Sequence, residues 1–394
     1  MADAACPGFK FGAVGSGVKP LGELDLGLVA GDADLHVAAM FTQNRFRAAP
    51  VELSEARAKS GVCRALVVNA GNANALVGAQ GRQDAEAMTH YVARGLPCDE
   101  KRVLIASTGT VGRRLPIEPI VLATPRLCES LRGDGLDDFA RAIQTSDQTD
   151  KRSLRLVPFG KKTHVRILGV AKGAGLLGPD LATTLAFVFT DAPVGKAFLK
   201  KALSEAVGQS FGRMSVDGEA STNDAVFVLS SGKAKVKPIE GGEAGEAFRS
   251  ALTEVLTDLS RSVVRDARGT SHVVRFIVSG TANVEDATRI GAHLARSLPV
   301  KVALFGSDPA WPRLLTAMGN SGVALDPAQI DIAVGEIELV RKGAGLGHEA
   351  ERRAHEIMRR GEYDIRIRVG RGKAEASYVG CDLSVDAVRA GAGS

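Results

Sequence analysis

Apolar positions recur along this chain in two rhythms. Short runs of β-branched and small apolar residues that end in glycine or a polar turn predict strands at 66–70, 103–107, 165–170, 186–190, 226–229 and 273–278. Residues 363–369 alternate with period two, and a further apolar run covers 332–340. Between these, helical spacing predicts helices at 84–94, with Ala85, Met88 and Val92 on one side, and at 196–211, 245–265, 284–296 and 349–360. Strands and helices are mixed, and several strands read as meanders or hairpins. The fold class expected is therefore an α+β layered sandwich of mixed sheets and helices, not a regular βαβ array. A break is expected near Pro193, although no linker composition marks it. The strings Lys172-Gly-Ala-Gly-Leu and Lys342-Gly-Ala-Gly-Leu have unlike flanks and predict no repeat.

Composition narrows the function classes. With 394 residues, 45% of them hydrophobic and 24% charged, the chain can bury a large core and is expected to be soluble, with two domains as the default. The net charge of +5 comes from dispersed pairs such as Arg113-Arg114, Lys161-Lys162, Arg352-Arg353 and Arg359-Arg360, each near acidic residues. With 5% aromatics there is no stacking platform for bases, so no nucleic-acid partner is expected. No apolar run reaches the roughly 18 residues of a membrane helix. The five cysteines are scattered without a CxxC pair, which argues against a disulfide framework or a zinc site and fits a reducing compartment. The opening Met1-Ala-Asp-Ala-Ala-Cys6 lacks the basic and apolar regions of a signal peptide, so a cytoplasmic location is expected. There is no G-x-S-x-G, H-E-x-x-H, P-loop or nicotinamide fingerprint. His348 and His355, seven apart on a charged helix, read as a surface pair. No metal and no cofactor is expected.

The stretch from Lys172 to Asp191 carries the chemistry. It joins a glycine-rich loop to an apolar run, with Thr183 and Thr184 at the junction. A threonine hydroxyl is a poor nucleophile alone, but an α-amine with a reference pKa near ~8 is a usable base. Cutting the chain at Ala182-Thr183 would give Thr183 such an amine. Ala182 is small enough for the crowded backbone of an N→O acyl shift, and Gly173, Gly175 and Gly178 would let the loop fold tightly. The same pattern also fits an ordinary threonine at the start of a strand.

The string Lys172-Gly-Ala-Gly-Leu-Leu-Gly-Pro-Asp-Leu-Ala-Thr183-Thr-Leu resembles the signature of the ornithine acetyltransferase (glutamate N-acetyltransferase) family. So do Asn69-Ala-Gly-Asn-Ala-Asn-Ala75, Ser107-Thr-Gly-Thr-Val-Gly112, Leu115-Pro116, Ser215-Val-Asp-Gly-Glu-Ala-Ser-Thr-Asn-Asp224, Gly306-Ser-Asp-Pro-Ala-Trp311 and Gly380-Cys-Asp-Leu383, in the family's order and over nearly the whole chain. The resemblance implies the fold shared with self-processing aminopeptidases. It also implies acetyl transfer through a threonyl ester, from N-acetylornithine to glutamate in arginine biosynthesis. The precursor would cut itself at Ala182-Thr183 into an N-terminal region 1–182 and a C-terminal region 183–394. These would stay together as an α2β2 heterotetramer. Thr183 would be the nucleophile, Thr108 and Gly109 the oxyanion hole, and Lys172 and Thr145 substrate contacts. Asn72, Asn74, Asp217 and Asp224 are assigned to polar turns, and Trp311 to a core or interface anchor.

Two departures fall where the family meets substrate. Its Asp-Gly-Glu-Gly-Ala-Thr-Lys is here Asp266-Ala-Arg268-Gly-Thr-Ser-His272, so a substrate-facing glutamate becomes Arg268. Pointed into the pocket, Arg268 would disfavour ornithine's ammonium and favour an anionic group; turned to solvent, it would do neither. After Cys381-Asp-Leu383 the family's asparagine is Gly391, and its closing tail has no counterpart before Ser394. The expectation is a self-processing N-acyltransferase acting on small amino-acid substrates, with the acyl donor and acceptor open to change. A hydrolase using the same acyl-enzyme and an uncleaved ligand-binding homologue are the alternatives.

Overall fold

The computed structural model describes residues 6–160, 163–173 and 184–392. Its contacts divide the chain into two compact units. Of the described residues, the first holds those up to 173, 184–210 and 220–259, and the second holds 211–219 and 260–392. The break expected at Pro193 is not a unit boundary, because residues 184–210 stay with the first unit. A packed strand-to-helix connection replaces it: Ile239 N donates to Pro193 O at 2.8 Å, and Gly195 N donates to Ile239 O at 3.0 Å.

The first unit is built on one eight-stranded sheet. Its strands are β1 (Phe9–Val14), β2 (Leu26–Phe41), β3 (Val62–Asn72), β4 (Val103–Thr110), β5 (Lys151–Pro158), β6 (His164–Lys172) and β7 (Leu185–Thr190). After β8 (Met214–Ser215), which belongs to the second unit, β9 (Ala225–Ser230) completes it. The spatial order is β4-β3-β2-β9-β7-β6-β5, with β1 against β2. β3 and β4 are parallel, as are β7 and β9, while β2 lies antiparallel to both β3 and β9. The sheet is buried on both faces, which is why β7 and β9 read as unbroken apolar runs. Successive residues of β3 divide accordingly. Leu66 and Val68 join one core cluster, while Ala65 and Val67 join another with Ala85, Met88 and Val92 of α2 (Ala79–Gly95). The predicted stripe of the helix at 84–94 is thus its buried face, and the helix begins five residues earlier.

Helices α1 (Ala49–Ala58), α3 (Ile117–Glu129), α4 (Leu136–Ala142), α5 (Lys196–Gln209) and most of α6 (Gly242–Arg265) complete this unit. Phenylalanines mark the centre of the larger cluster: Phe139 of α4 lies 5.5 Å from Phe187, which stacks on Phe227 at 5.7 Å.

The second unit holds a seven-stranded sheet. Besides β8 it contains β10 (Val273–Thr281), β11 (Asp331–Val334), β12 (Ile337–Arg341), β13 (Ala344–Gly345), β14 (Glu362–Arg368) and β15 (Ala374–Cys381). The apolar run 332–340 is therefore a hairpin of β11 and β12. Tyr363, Ile365 and Ile367 of β14 face the core formed with α7 (Val284–Arg296), α8 (Leu298–Phe305), α9 (Trp311–Gly319) and α10 (His348–Met358). The last helix is α11 (Val385–Ala392). Trp311 packs at the edge of this core and donates from Nε1 to Glu351.

Phe187 has no exposed surface and contacts rings on either side. Phe187→Ala is expected to destabilise the chain by about 3–5 kcal/mol, read from the midpoint of urea unfolding; a cost below about 1 kcal/mol would contradict this packing.

Candidate active site

Two pairs of strand ends in the first unit build the site. On the parallel β3–β4 pair, Thr108 lies opposite Ala70 and Gly109 opposite Gly71, and the register slips by one at Asn72. Gly109 has φ +131°, and a Cβ there would lie 2.2 Å from the Gly71 carbonyl carbon and 2.5 Å from Asn72 N. Only glycine fits. The slip is held by buried side chains. Asn69 Nδ2 donates to Asn72 O at 2.8 Å, Ser107 Oγ donates to Asn69 Oδ1 at 2.5 Å, and Asn223 Nδ2 donates to Ala73 O at 2.6 Å and Ser107 O at 2.9 Å.

The second pair is β6–β7, in which Lys172 lies opposite Leu185. Asp224, just before β9, accepts from Thr184 N at 2.8 Å and Ser221 N at 2.9 Å, which pins the start of β7. The Thr184 hydroxyl is buried with no partner among the described residues.

Lys172 joins the two pairs. Its Nζ donates to Thr108 Oγ1 at 3.0 Å and to Thr145 Oγ1 at 2.8 Å. Asp147 Oδ2 is 3.9 Å away. The Asp147 carboxylate shapes the loop after α4: it accepts from Thr145 N at 3.0 Å, Gly173 N at 2.7 Å and Lys151 Nζ at 2.7 Å. Lys172 and Lys151 are each 2% exposed, and the Asp147 side chain is fully buried. Thr145 and Gly109, by contrast, are exposed.

Burial pushes the Lys172 amine below the usual lysine range; Asp147 opposes this and the like charge of Lys151 adds to it. For Asp147 burial acts against ionisation, but Lys172 and Lys151 outweigh it and hold the carboxyl below its ordinary value. Lys19 is half-buried nearby, its amine also lowered by burial. The loop that presents it is folded around Asp25, which accepts from Ser16, Gly17, Val18 and Lys19 backbone N–H groups.

Of the residues singled out from sequence, Thr108, Gly109, Thr145 and Lys172 come together here. Ala182 and Thr183 lie outside the described residues. Arg268 lies in the second unit, exposed on the turn after α6. That turn is clamped by Ser384 Oγ, which donates to Gly269 O at 2.5 Å. Asn72 and Asp217 accept from backbone N–H groups of their own turns, as expected, while Asn74 donates to Gly81 O of α2 and Asn72 also to Arg113 O and Arg114 O. His355 is not a plain surface residue: its Nδ1 lies 2.7 Å from Ser307 O.

Sequence reading missed Asp147 and Lys151, and saw Asp224 only as a turn residue. The signal available was the Thr145-Ser-Asp-Gln-Thr string itself, an Asx turn with a lysine four residues beyond its aspartate.

Two other chemistries are disfavoured. Burial raises all five thiols, Cys128 to about 11, so none is a ready nucleophile. In the second unit His272 Nε2 is 3.1 Å from Ser307 Oγ and Nδ1 is 3.5 Å from Asp382, which has the look of a serine triad. However, Nδ1 is closer to Ser271 Oγ, at 2.8 Å, and Asp382 is occupied by Ser271 and His272 backbone N–H groups. The cluster ties the end of β15 to the segment before β10. Among the described residues no group of side chains could hold a metal ion.

Asn223→Ala leaves two buried carbonyl groups without donors. A stability loss of about 2–4 kcal/mol is expected in denaturant unfolding, and an unchanged midpoint would remove Asn223 from the frame of the site.

A profile of the ArgJ family matches residues 10–393. The arginine biosynthesis bifunctional protein ArgJ of Syntrophotalea carbinolica is 38% identical over 383 residues, covering 97% of this chain and 97% of its own. The protein of that name from Methylococcus capsulatus is 39% identical over 388 residues, covering 98% of this chain and 95% of its own. Among solved structures, ArgJ from Bacillus halodurans is 32% identical with a TM-score of 0.51, matching 53% of this chain and 98% of that one.

Proposed function

This chain belongs to the ArgJ family, and on that premise we propose that it is a self-processing acyltransferase that moves an acetyl group between ornithine and glutamate. The observation that carries the reading is the convergence of Thr108 and Thr145 on Lys172, which pairs with Leu185 at the start of β7. Thr183 is the nucleophile, and its α-amine, freed by the cut, is the base. The hydroxyl attacks the acetyl carbonyl of N-acetylornithine while the amine takes its proton. The oxyanion is met by the Thr108 hydroxyl and the Gly109 N–H. The C–N bond then breaks and the proton passes to the leaving amine, which leaves an acetyl ester on Thr183. The α-amine of glutamate attacks that ester, and the same steps in reverse give N-acetylglutamate.

Lys172 and Thr145 form the cationic side of the pocket and suit the carboxylate common to both amino acids. Arg268 of the second unit is exposed and carries the charge opposite to the family's glutamate; as a substrate contact it would favour an acidic group such as glutamate. Pieces 1–182 and 183–394 remain associated and pair as α2β2. In support, the solved ArgJ chain is matched almost completely by about half of this one, as the product of one cut near the middle would be. No helix among the described residues is long and apolar enough to cross a membrane. The cytoplasm is the proposed location, on the arginine-biosynthesis reading alone.

Denaturing electrophoresis is expected to give two bands, 1–182 and 183–394, and Thr183→Ala one uncut band. Persistence of the full-length chain in the unaltered protein would refute self-processing. With N-acetylornithine as donor, acetyl release should require glutamate; release at the same rate without it would identify a hydrolase. Thr108→Val should lower kcat by about 10²–10³-fold, as the loss of one oxyanion donor does.

A further inference from the structure

Lys172 has three N–H donors and no acceptor, and two of its donors are committed to hydroxyl oxygens. A hydroxyl carries one hydrogen and two lone pairs. When an ammonium fills a lone pair of Thr108 Oγ1, that hydroxyl's own hydrogen must point elsewhere. The same holds for Thr145. Thr145 is exposed, so its hydrogen has an open side to turn toward; Thr108 is buried, next to exposed Gly109, and its hydrogen must point away from Nζ. A neutral lysine amine has a lone pair of its own. It could accept from either hydroxyl and turn that hydrogen inward.

We propose that Lys172 acts as a buried cation that orients the Thr108 and Thr145 hydroxyls as outward donors, one to the oxyanion and one to the substrate carboxylate, and that Asp147 and Lys151 are positioning residues of opposite effect: Asp147 holds the charge on Lys172, while Lys151 braces that carboxylate and opposes the charge. The inference rests on the acyl-transfer reading and assigns roles to two residues outside the reacting set. The geometry supports it from three sides. Asp147 ties the Thr145 loop and the Gly173 turn to the same carboxylate that faces Lys172. Lys151 Nζ braces that carboxylate at 2.7 Å and also donates to Thr149 O at 3.2 Å. All three charged side chains are almost completely buried, where an uncompensated ammonium would lose its proton. The charged groups that act on Nζ are Asp147 and Lys151 and, farther out, Asp224 and Lys19.

The two positioning residues have opposite signs, so they give opposite predictions. Burial has already lowered the Lys172 amine, and activity that needs its charged form is lost as pH rises through that lowered value. Asp147→Asn removes the group that opposes the lowering, so the alkaline limb of kcat should move to lower pH. Lys151→Met removes a like charge, so the limb should move to higher pH. Ionisation of Lys172 is read directly by NMR of protein carrying ¹³Cε-lysine, assigned with Lys172→Met, in the unaltered full chain and in both variants. The expected result is opposite displacement of the Lys172 titration, with the kcat limb following it. Displacement in the same direction, or none, would overturn the proposal. Where Asp147→Asn fails to fold, Lys151→Met alone decides it by direction.

The kinetics of Lys172→Met add a second criterion. A fall in kcat of about tenfold or more is expected, whereas a rise in KM at unchanged kcat would make Lys172 a simple carboxylate holder and also overturn the proposal. Should the unaltered chain transfer no acetyl group, the acyl-transfer reading fails, and the NMR titrations still decide whether Asp147 and Lys151 govern Lys172.

Discussion

An ammonium ion buried in protein must be compensated, and this requirement at Lys172 organises the site around it. A charge removed from water needs a counter-charge and fixed acceptors close by. Here the counter-charge is Asp147 and the acceptors are Thr108 and Thr145, drawn from β4 and from the loop after α4. Meeting that need brings three separate parts of the chain together. The loop after α4 is short and polar and would otherwise have little reason to hold one shape. Its carboxylate gives it one, through the Thr145 and Gly173 backbone bonds.

The neutral frame around this charge is equally specific. The Asn69–Ser107 and Asn223–Ser107 bonds pin the end of β4, and Gly109 is packed against the Gly71 backbone so closely that no side chain fits. Thr108 is therefore placed by backbone geometry, and its hydroxyl by Lys172. Two independent devices fix one atom, which is what a preorganised hydrogen-bond donor requires.

Much of this was legible before any coordinates. The period-two run at 363–369 became β14, and the helix at 284–296 kept its bounds. The long strand β2 was not legible, because Gly27, Gly31, Asp32 and Asp34 interrupt it with turn residues. A register shift between Ala30 and Leu35 absorbs three of the four, and a bulge of that kind leaves no periodic trace. The candidate site residues Thr108, Gly109, Thr145 and Lys172 were singled out through their likeness to a family pattern; spacing alone would have left them as turn and strand-end residues. Asp147 and Lys151 were passed over because their local pairing looks like an ordinary polar turn, and what gives it meaning, the burial beside Lys172, comes from a distant part of the chain. The charge reversal at Arg268 could be read, but a side chain's direction on a turn depends on packing that no pattern records.

The order of strands in the first sheet bears on time as well as space. β7 and β9, which follow residue 183, lie side by side between β2 and β6, which precede it. The proposed cut before Thr183 would thus divide a chain whose two products are laced through one another. Each product taken alone would carry raw strand edges where its neighbours had been, so neither could keep this sheet or slip free of it intact. On the proposed cut, the sheet would close first and the bond break afterwards, and the step would have no easy reverse.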